Sequence, residues 1–192
     1  RNGQTLHKSA LAGEVGVSVT TISDWLSVLE ASNQLVLLEP WYVNLGKRIV
    51  KSPKLYFADS GLLSYLIGVT ENTLAASPFI GAVWETYLFA EIRKRLKLSA
   101  SGQTIWYYRD KQQLEVDFLL TGGGESRLIE CKWTEFPDSS DTQNVQKLLD
   151  IVQTKSTPEL KKVTGYVVSR TSTPFPITDR VQAINLFNLP IS

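Results

Sequence analysis

Leu114–Glu115–Val116–Asp117–Phe118–Leu119–Leu120, the glycines Gly122–Gly123–Gly124, and Arg127–Leu128–Ile129–Glu130–Cys131–Lys132 are the stretch on which the fold turns. Two apolar runs of strand length flank three glycines, which predicts an antiparallel hairpin closed by a tight reversal. Side chains alternate along a strand, so Glu130 and Lys132 project together while Ile129 and Cys131 project oppositely. By the same rule Val116, Phe118 and Leu120 take one face of the first strand and Asp117 takes the other. Two carboxylates and an ammonium then meet on one side of a small sheet. Such a set can hold a hard divalent cation and a phosphate. The plain alternative is a cross-strand salt bridge on a solvated face.

Upstream of the hairpin, Phe79 to Leu96 reads as an amphipathic helix with Phe89, Ile92 and Leu96 at helical spacing. Glu85 lies four residues before Phe89 and so falls on the apolar face. An ionised carboxylate aimed at a core is costly unless it is paired or bound to metal. A border position at the edge of the stripe is the simpler account of Glu85. Thr104 to Arg109 is an aromatic-rich strand that pairs with Leu114 to Leu120. Pro137, Ser139, Ser140 and Asp141 form a loop into a helix from about Thr142 to Gln153. Val163 to Ser169 reads as a buried strand, Thr171 to Pro176 as a Pro/Thr-rich loop, and Gln182 to Phe187 as a further strand. A helix, strands, a crossover helix and more strands make an α/β sandwich, α+β over the whole chain.

The first part reads as a winged helix-turn-helix. Ser9 to Glu14 and Val19 to Ala31 are its helices, with Ser18 capping the second. Ile22, Trp25, Leu26 and Leu29 supply the apolar stripe of that second helix. Leu35 to Leu38 and Lys54 to Phe57 are strands around a basic loop, Gly46–Lys47–Arg48. In a DNA-binding version Thr20, Thr21, Ser23 and Asp24 face the major groove, and Lys47 and Arg48 touch phosphate. Asp24 is awkward there because it repels the backbone, and such folds also serve as connectors and protein-docking units. Asp59 reads as a helix cap ahead of Gly61–Leu62–Leu63. A polar stretch ending at Pro78 separates the lobes, giving a winged-helix-like domain over 1–76 and a second domain over 77–192.

Composition narrows the classes. A 192-residue chain with 43% apolar and 20% charged residues is a globular protein, and no apolar run approaches the roughly 20 residues that span a bilayer. A single cysteine rules out an internal disulfide and fits a cytoplasmic setting. One histidine, His7, argues against a zinc site and against His-based nucleophilic catalysis. Cys131 is read as buried and structural. Net charge is +1, and six of the 20 basic and six of the 19 acidic residues lie up to Ala76, so neither half is a polycation. Any contact with nucleic acid rests on local clusters and is salt-sensitive. The chain has no Met and opens on Arg1, which reads as a piece of a longer protein. It contains no Gly-x-x-x-x-Gly-Lys-Ser/Thr loop and therefore no ATP site of that kind.

From about Ser77 to Ser192 the order of parts resembles the PD-(D/E)xK nuclease-like superfamily. Glu85 matches its first helix, Asp117 its second core strand, and Glu130 with Lys132 its third. Val116 stands where the superfamily's name has Pro, a loosely kept position. Gly81–Ala82–Val83–Trp84–Glu85, Trp106–Tyr107–Tyr108–Arg109, Glu115–Val116–Asp117, the triplet Glu130–Cys131–Lys132 and Lys54 to Leu62 narrow the likeness. Together they are similar to the C-terminal domain of predicted prokaryotic AAA+ ATPases called domain of unknown function 4143.

The resemblance implies metal-assisted phosphodiester hydrolysis. Asp117 and Glu130 would hold Mg²⁺ or Mn²⁺, with Glu85 on a second ion or on water. Lys132 would position the attacking water or stabilise the phosphorane. Arg109 is a further candidate for guiding phosphate, with a structural role against the tyrosines as its alternative. Gln143 and Gln146 are the candidates from the next helix. Implied partners are nucleic acid and an N-terminal ATPase module of the same protein. A nuclease-like scaffold without turnover, binding DNA or protein in an ATPase assembly, is the other implied role.

Overall fold

Gly16 and Ser18 punctuate the start of the chain. In the computed structural model, which describes residues 1–41, 50–99, 101–155, 160 and 162–191, Gly16 ends helix α1 (Lys8–Val15) in the left-handed conformation. Ser18 opens helix α2 (Val19–Ala31) by accepting the Thr21 N–H at 3.0 Å. The chain divides into two units, one of Arg1–Glu39 with Lys51–Tyr87, the other of Pro40–Val50 with Leu88–Ser192.

In the first unit, β1 (Gln4–Thr5), β2 (Leu35–Leu38) and β3 (Lys54–Phe57) form an antiparallel sheet with β3 in the middle. Leu6, Ala12, Ile22, Leu26, Leu35 and Leu55 make its core. The stripe expected on α2 is only half used: Trp25 is 50% exposed and Leu29 38%. Strands of two to four residues cover one ridge of the helix, that of Ile22 and Leu26, and no more. Asp59 caps α3 (Ser60–Leu66) as expected, taking the Leu62 N–H at 2.7 Å. A short α4 (Glu71–Leu74) follows. Next comes α5 (Ile80–Ser99), within which the two units divide at Tyr87 and Leu88, some ten residues beyond the boundary read from the sequence.

The second unit holds a six-stranded mixed sheet. Its strands are β4 (Thr104–Arg109), β5 (Glu115–Thr121), β6 (Ser126–Cys131), β7 (Val163–Val168), β8 (Phe175–Thr178) and β9 (Val181–Ile184). Their order is β4-β5-β6-β7-β9-β8, parallel at β6–β7 and β7–β9 and antiparallel elsewhere. Helix α6 (Gln143–Lys155) supplies the crossover from β6 to β7. Its Val145, Leu148, Leu149 and Val152, spaced for one face, are buried with Leu128 and Val167. On the other face Phe89 of α5 stacks on Phe118, with centroids 5.8 Å apart, and Leu88 and Ile92 are fully buried. This is the mixed α+β architecture that the order of parts predicts.

Two strands lie outside the sequence reading. β1 is a two-residue pairing at the start of the chain. β8 falls where a Pro/Thr-rich loop was expected, and Pro176 is tolerated because β8 is an edge strand pairing only with β9. The opposite edge, β4, meets the main chain of Pro40 and Trp41: Trp41 N–H donates to Tyr107 O at 2.8 Å, and Val50 N–H to Arg109 O at 3.1 Å. The last expected strand stops at Ile184, and Leu186–Asn188 forms a 3₁₀ turn.

Gly165 lets α6 approach β7. A Cβ there would lie 2.7 Å from Val145 Cγ1 and 2.9 Å from Val181 Cγ2, both on buried side chains. Gly165→Ala is therefore expected to destabilise the second unit by about 1–3 kcal/mol through overpacking. A lowered denaturant midpoint at unchanged slope is the readout.

Candidate active site

The three glycines of the hairpin turn all have positive φ, and a Cβ on Gly122 would lie 2.7 Å from Gly102 O. That turn sets the register Leu120↔Arg127, Leu119↔Leu128 and Phe118↔Ile129, where the recorded pairing ends. At the same level β5 bulges. Between the pairs Trp106↔Leu119 and Tyr108↔Val116, β4 advances two residues and β5 three. A bulge re-aims side chains. Strict alternation along β5 accordingly fails: Val116 joins Leu119 in the core under α6, while Phe118 stacks on Phe89. Asp117 sits at the bulge, and its Oδ2 accepts the Cys131 N–H at 2.8 Å.

That bond ties Asp117 to the Glu130–Cys131–Lys132 triplet at the end of β6. Glu130 is buried, and its Oε1 lies 3.3 Å from Lys132 Nζ. Asp141, in the 3₁₀ turn Ser139–Thr142 ahead of α6, brings Oδ1 to 3.9 Å from the same ammonium. Lys132 N–H donates to Val168 O at 3.1 Å, fixing the residue just past the strand. Burial pulls the Lys132 pKa down, but the charge and hydrogen bond of Glu130, helped by Asp117 and Asp141, outweigh it and raise the value above 10.5. Lys132 is thus an ammonium throughout the neutral range. Its ion pairs contribute fully below the ordinary lysine pKa and are lost only as pH rises through the raised value. Cys131, the single cysteine, is half-buried rather than buried as expected, because it lies at the strand end.

The family model described as Domain of unknown function (DUF4143) matches residues 80–189. The chain belongs to the DUF4143 family. A second model, Domain of unknown function (DUF8612), matches residues 1–73. Uncharacterized proteins of Mycobacterium tuberculosis and Mycobacterium bovis are each 31% identical over 140 residues, covering 72% of this chain. The chain spans about a third, 31%, of the length of these curated relatives. No solved structure matches it.

Within the DUF4143 match, Asp117, Glu130 and Lys132 come together, with Asp141 as a member that the sequence reading missed. Asp141 carries a weak signal, since an acidic residue before a helix reads first as part of its capping, and it does close the capping box of the 3₁₀ turn: the N-cap Asp138 N–H donates to its Oδ2 at 3.1 Å. Glu85 belongs to the first unit, where its Oε1 accepts the Tyr56 hydroxyl at 2.5 Å and lies 3.6 Å from Lys54 Nζ. Lys54 is only 1% exposed, which accounts for a carboxylate on the inner face of the helix. Glu85 lies in the first unit, whereas Asp117 and Glu130 lie in the second. Among the described residues no group of three or more His, Cys, Asp or Glu could hold an ion.

Within the DUF4143 segment the candidates Arg109 and Gln146 have hydrogen-bond partners of their own. Arg109 pairs with Glu115 at 3.2 Å and donates to Gln113, which holds it at the β4–β5 end. Gln146 donates to Thr142 Oγ1 at 2.5 Å. In the first unit Thr20 is exposed and the Thr21 hydroxyl lies 2.8 Å from Ser18 Oγ. Helix α2 bears Asp24 and Glu30 but no Lys or Arg, a poor complement to a phosphate backbone. Lys47 and Arg48 lie outside the described residues. No helix among the described residues is long and apolar enough to cross a membrane.

Proposed function

We propose that the DUF4143 segment is a PD-(D/E)xK-type, metal-dependent nuclease. The observation that carries this reading is the β5 bulge, which brings the Asp117 carboxylate to the end of β6 beside Glu130 and Lys132. Asp117 and Glu130 offer hard oxygen donors of the kind Mg²⁺ accepts, and Mg²⁺ keeps several waters when only one or two carboxylates bind it. A donor set of two carboxylates therefore fits it without Glu85. The bound ion would lower the pKa of a water and neutralise charge on the phosphate.

The chain's own part is positional and electrostatic. Water would attack phosphorus as the bond to the leaving oxygen breaks, the water's proton passing to solvent and the leaving oxygen taking one from solvent, while negative charge grows on the phosphate oxygens. Lys132, whose ammonium lies 3.3 Å from Glu130 and 3.9 Å from Asp141, would act as a fixed cation toward that charge. In the whole protein, a cytoplasmic AAA+ ATPase module N-terminal to this region would govern access, consistent with relatives about three times longer than the match. The first unit is then a winged helix serving as a connector. A catalytically silent scaffold is the second reading, favoured by helix α2, which bears Asp24 and Glu30 and no Lys or Arg.

Supercoiled plasmid, single-stranded DNA and RNA incubated with Mg²⁺ or Mn²⁺ provide the test. Cutting by the parent chain is expected, with Lys132→Ala slower by about 10²-fold or more and Asp117→Asn silent. Titration with Mn²⁺ followed by electron paramagnetic resonance should show a site that Asp117→Asn lacks. Equal cutting by all three proteins, or no Mn²⁺ binding by the parent, would retire the nuclease in favour of the scaffold.

A further inference from the structure

We infer that Asp141 is a positioning residue for Lys132: it receives the ammonium when a divalent cation claims Glu130. The inference deepens the nuclease reading, from which it takes that cation as its ligand. Lys132 Nζ stands between two carboxylates, 3.3 Å from Glu130 Oε1 and 3.9 Å from Asp141 Oδ1. The first distance is within reach of a hydrogen bond and the second is beyond it, so the ammonium leans on Glu130. Asp141 keeps Oδ1 for this purpose, because its Oδ2 is the oxygen that accepts the Asp138 N–H.

Glu130 is buried, and a buried carboxylate without a counter-charge is costly. Lys132 is therefore its resident cation while no metal is bound. Placing an ion between Asp117 and Glu130, as proposed above, sets two cations on one carboxylate, where they repel. Lys132 is the one that can yield. Its backbone is pinned, the N–H bonded to Val168 O at 3.1 Å. Its side chain is 37% exposed, on a flexible four-carbon stem. A short swing brings Nζ fully onto Asp141, where the ammonium remains a cation beside the phosphate. A static ion pair, by contrast, would keep Lys132 on Glu130 whatever the solution holds.

Mn²⁺ titration of the 192-residue chain, followed by electron paramagnetic resonance, tests the exchange without recourse to cleavage. Lys132→Met should bind Mn²⁺ about tenfold more tightly than the parent, because the resident cation is gone. Lys132→Arg, which keeps the charge, should bind no tighter than the parent. Asp141→Asn should weaken binding by about threefold or more in the parent, where Lys132 loses its second station, and by less in Lys132→Met. Urea midpoints guard against a folding defect: Mn²⁺ should raise that of Lys132→Met more than that of the parent. Binding by Lys132→Met no tighter than by the parent, or an equal Asp141→Asn loss in both backgrounds, would overturn the inference and leave the nuclease standing. Tight binding by Lys132→Met beside a parent that binds none keeps the exchange and retires the nuclease. No binding by either protein retires both.

Discussion

Glu85→Ala is expected to destabilise the first unit by about 3 kcal/mol, the lower end of the range for breaking a buried ion pair. The reason lies with Lys54, which stays 1% exposed and loses the carboxylate 3.6 Å away. Tyr56, fully buried, loses the hydrogen bond that its hydroxyl donates to Glu85 at the same time. Partial exposure of Glu85, 20% at the side chain, lets water soften the loss. The double change Lys54→Met with Glu85→Leu should recover most of it, since a well-packed apolar pair often matches or exceeds a buried ion pair. Urea titration of the parent, Lys54→Met, Glu85→Leu and the double variant, with Glu85→Ala alongside, is the measurement. A single variant as stable as the parent would mean that Glu85 is held for some purpose other than Lys54. Mn²⁺ affinity in Glu85→Ala is expected to stay at the parent value, because the donor set proposed above does without it.

Phe118→Ala should cost the second unit about 4 kcal/mol, in line with other large-to-small changes at fully buried aromatics. Phe118 has no exposed surface and stacks on Phe89, so truncation leaves a void against α5 that its neighbours cannot close. Phe118→Leu keeps most of the volume and should lose only about 1 kcal/mol. Position gives the substitution a second effect. Phe118 is the neighbour of Asp117 in the bulge, and its packing steadies the backbone from which that carboxylate reaches the Cys131 N–H. Amide exchange at Cys131 should therefore quicken in Phe118→Ala more than at Leu128, which lies inside the regular ladder. Equal acceleration at both amides would mean that the bulge is held by something other than this ring.

Much of the fold is legible because local chemistry and tertiary structure agree. Ser18 and Asp59 announce helices that begin where their oxygens can reach an N–H, and the three glycines announce a reversal that no other residues would take so easily. The candidate site is legible in its members Asp117, Glu130 and Lys132 but not in its geometry. Alternation predicts the faces of an even strand, and a bulge is a property of two strands meeting, with no mark in one of them. Glu85 shows the same limit. Its place on the inner face follows from helical spacing, while its partner Lys54 sits on a strand whose burial no local pattern reveals. Asp141 and β8 escape for a related reason: an acid before a helix and a proline-bearing segment both have a commoner meaning, and only their neighbours select the other one.

The borders of the six-stranded sheet carry a consequence for the molecule in a crowded solution. A bare strand edge invites another chain to add to it, and repeated addition ends in fibres. Here the main chain of Trp41 and Val50 already occupies carbonyls of Tyr107 and Arg109 along β4, and Pro176 interrupts the outer row of β8 donors. Among the described residues both rims are interrupted, β4 by these two bonds and β8 by Pro176. Growth by strand addition is in this sense hindered at both rims, and the candidate site lies at the strand ends.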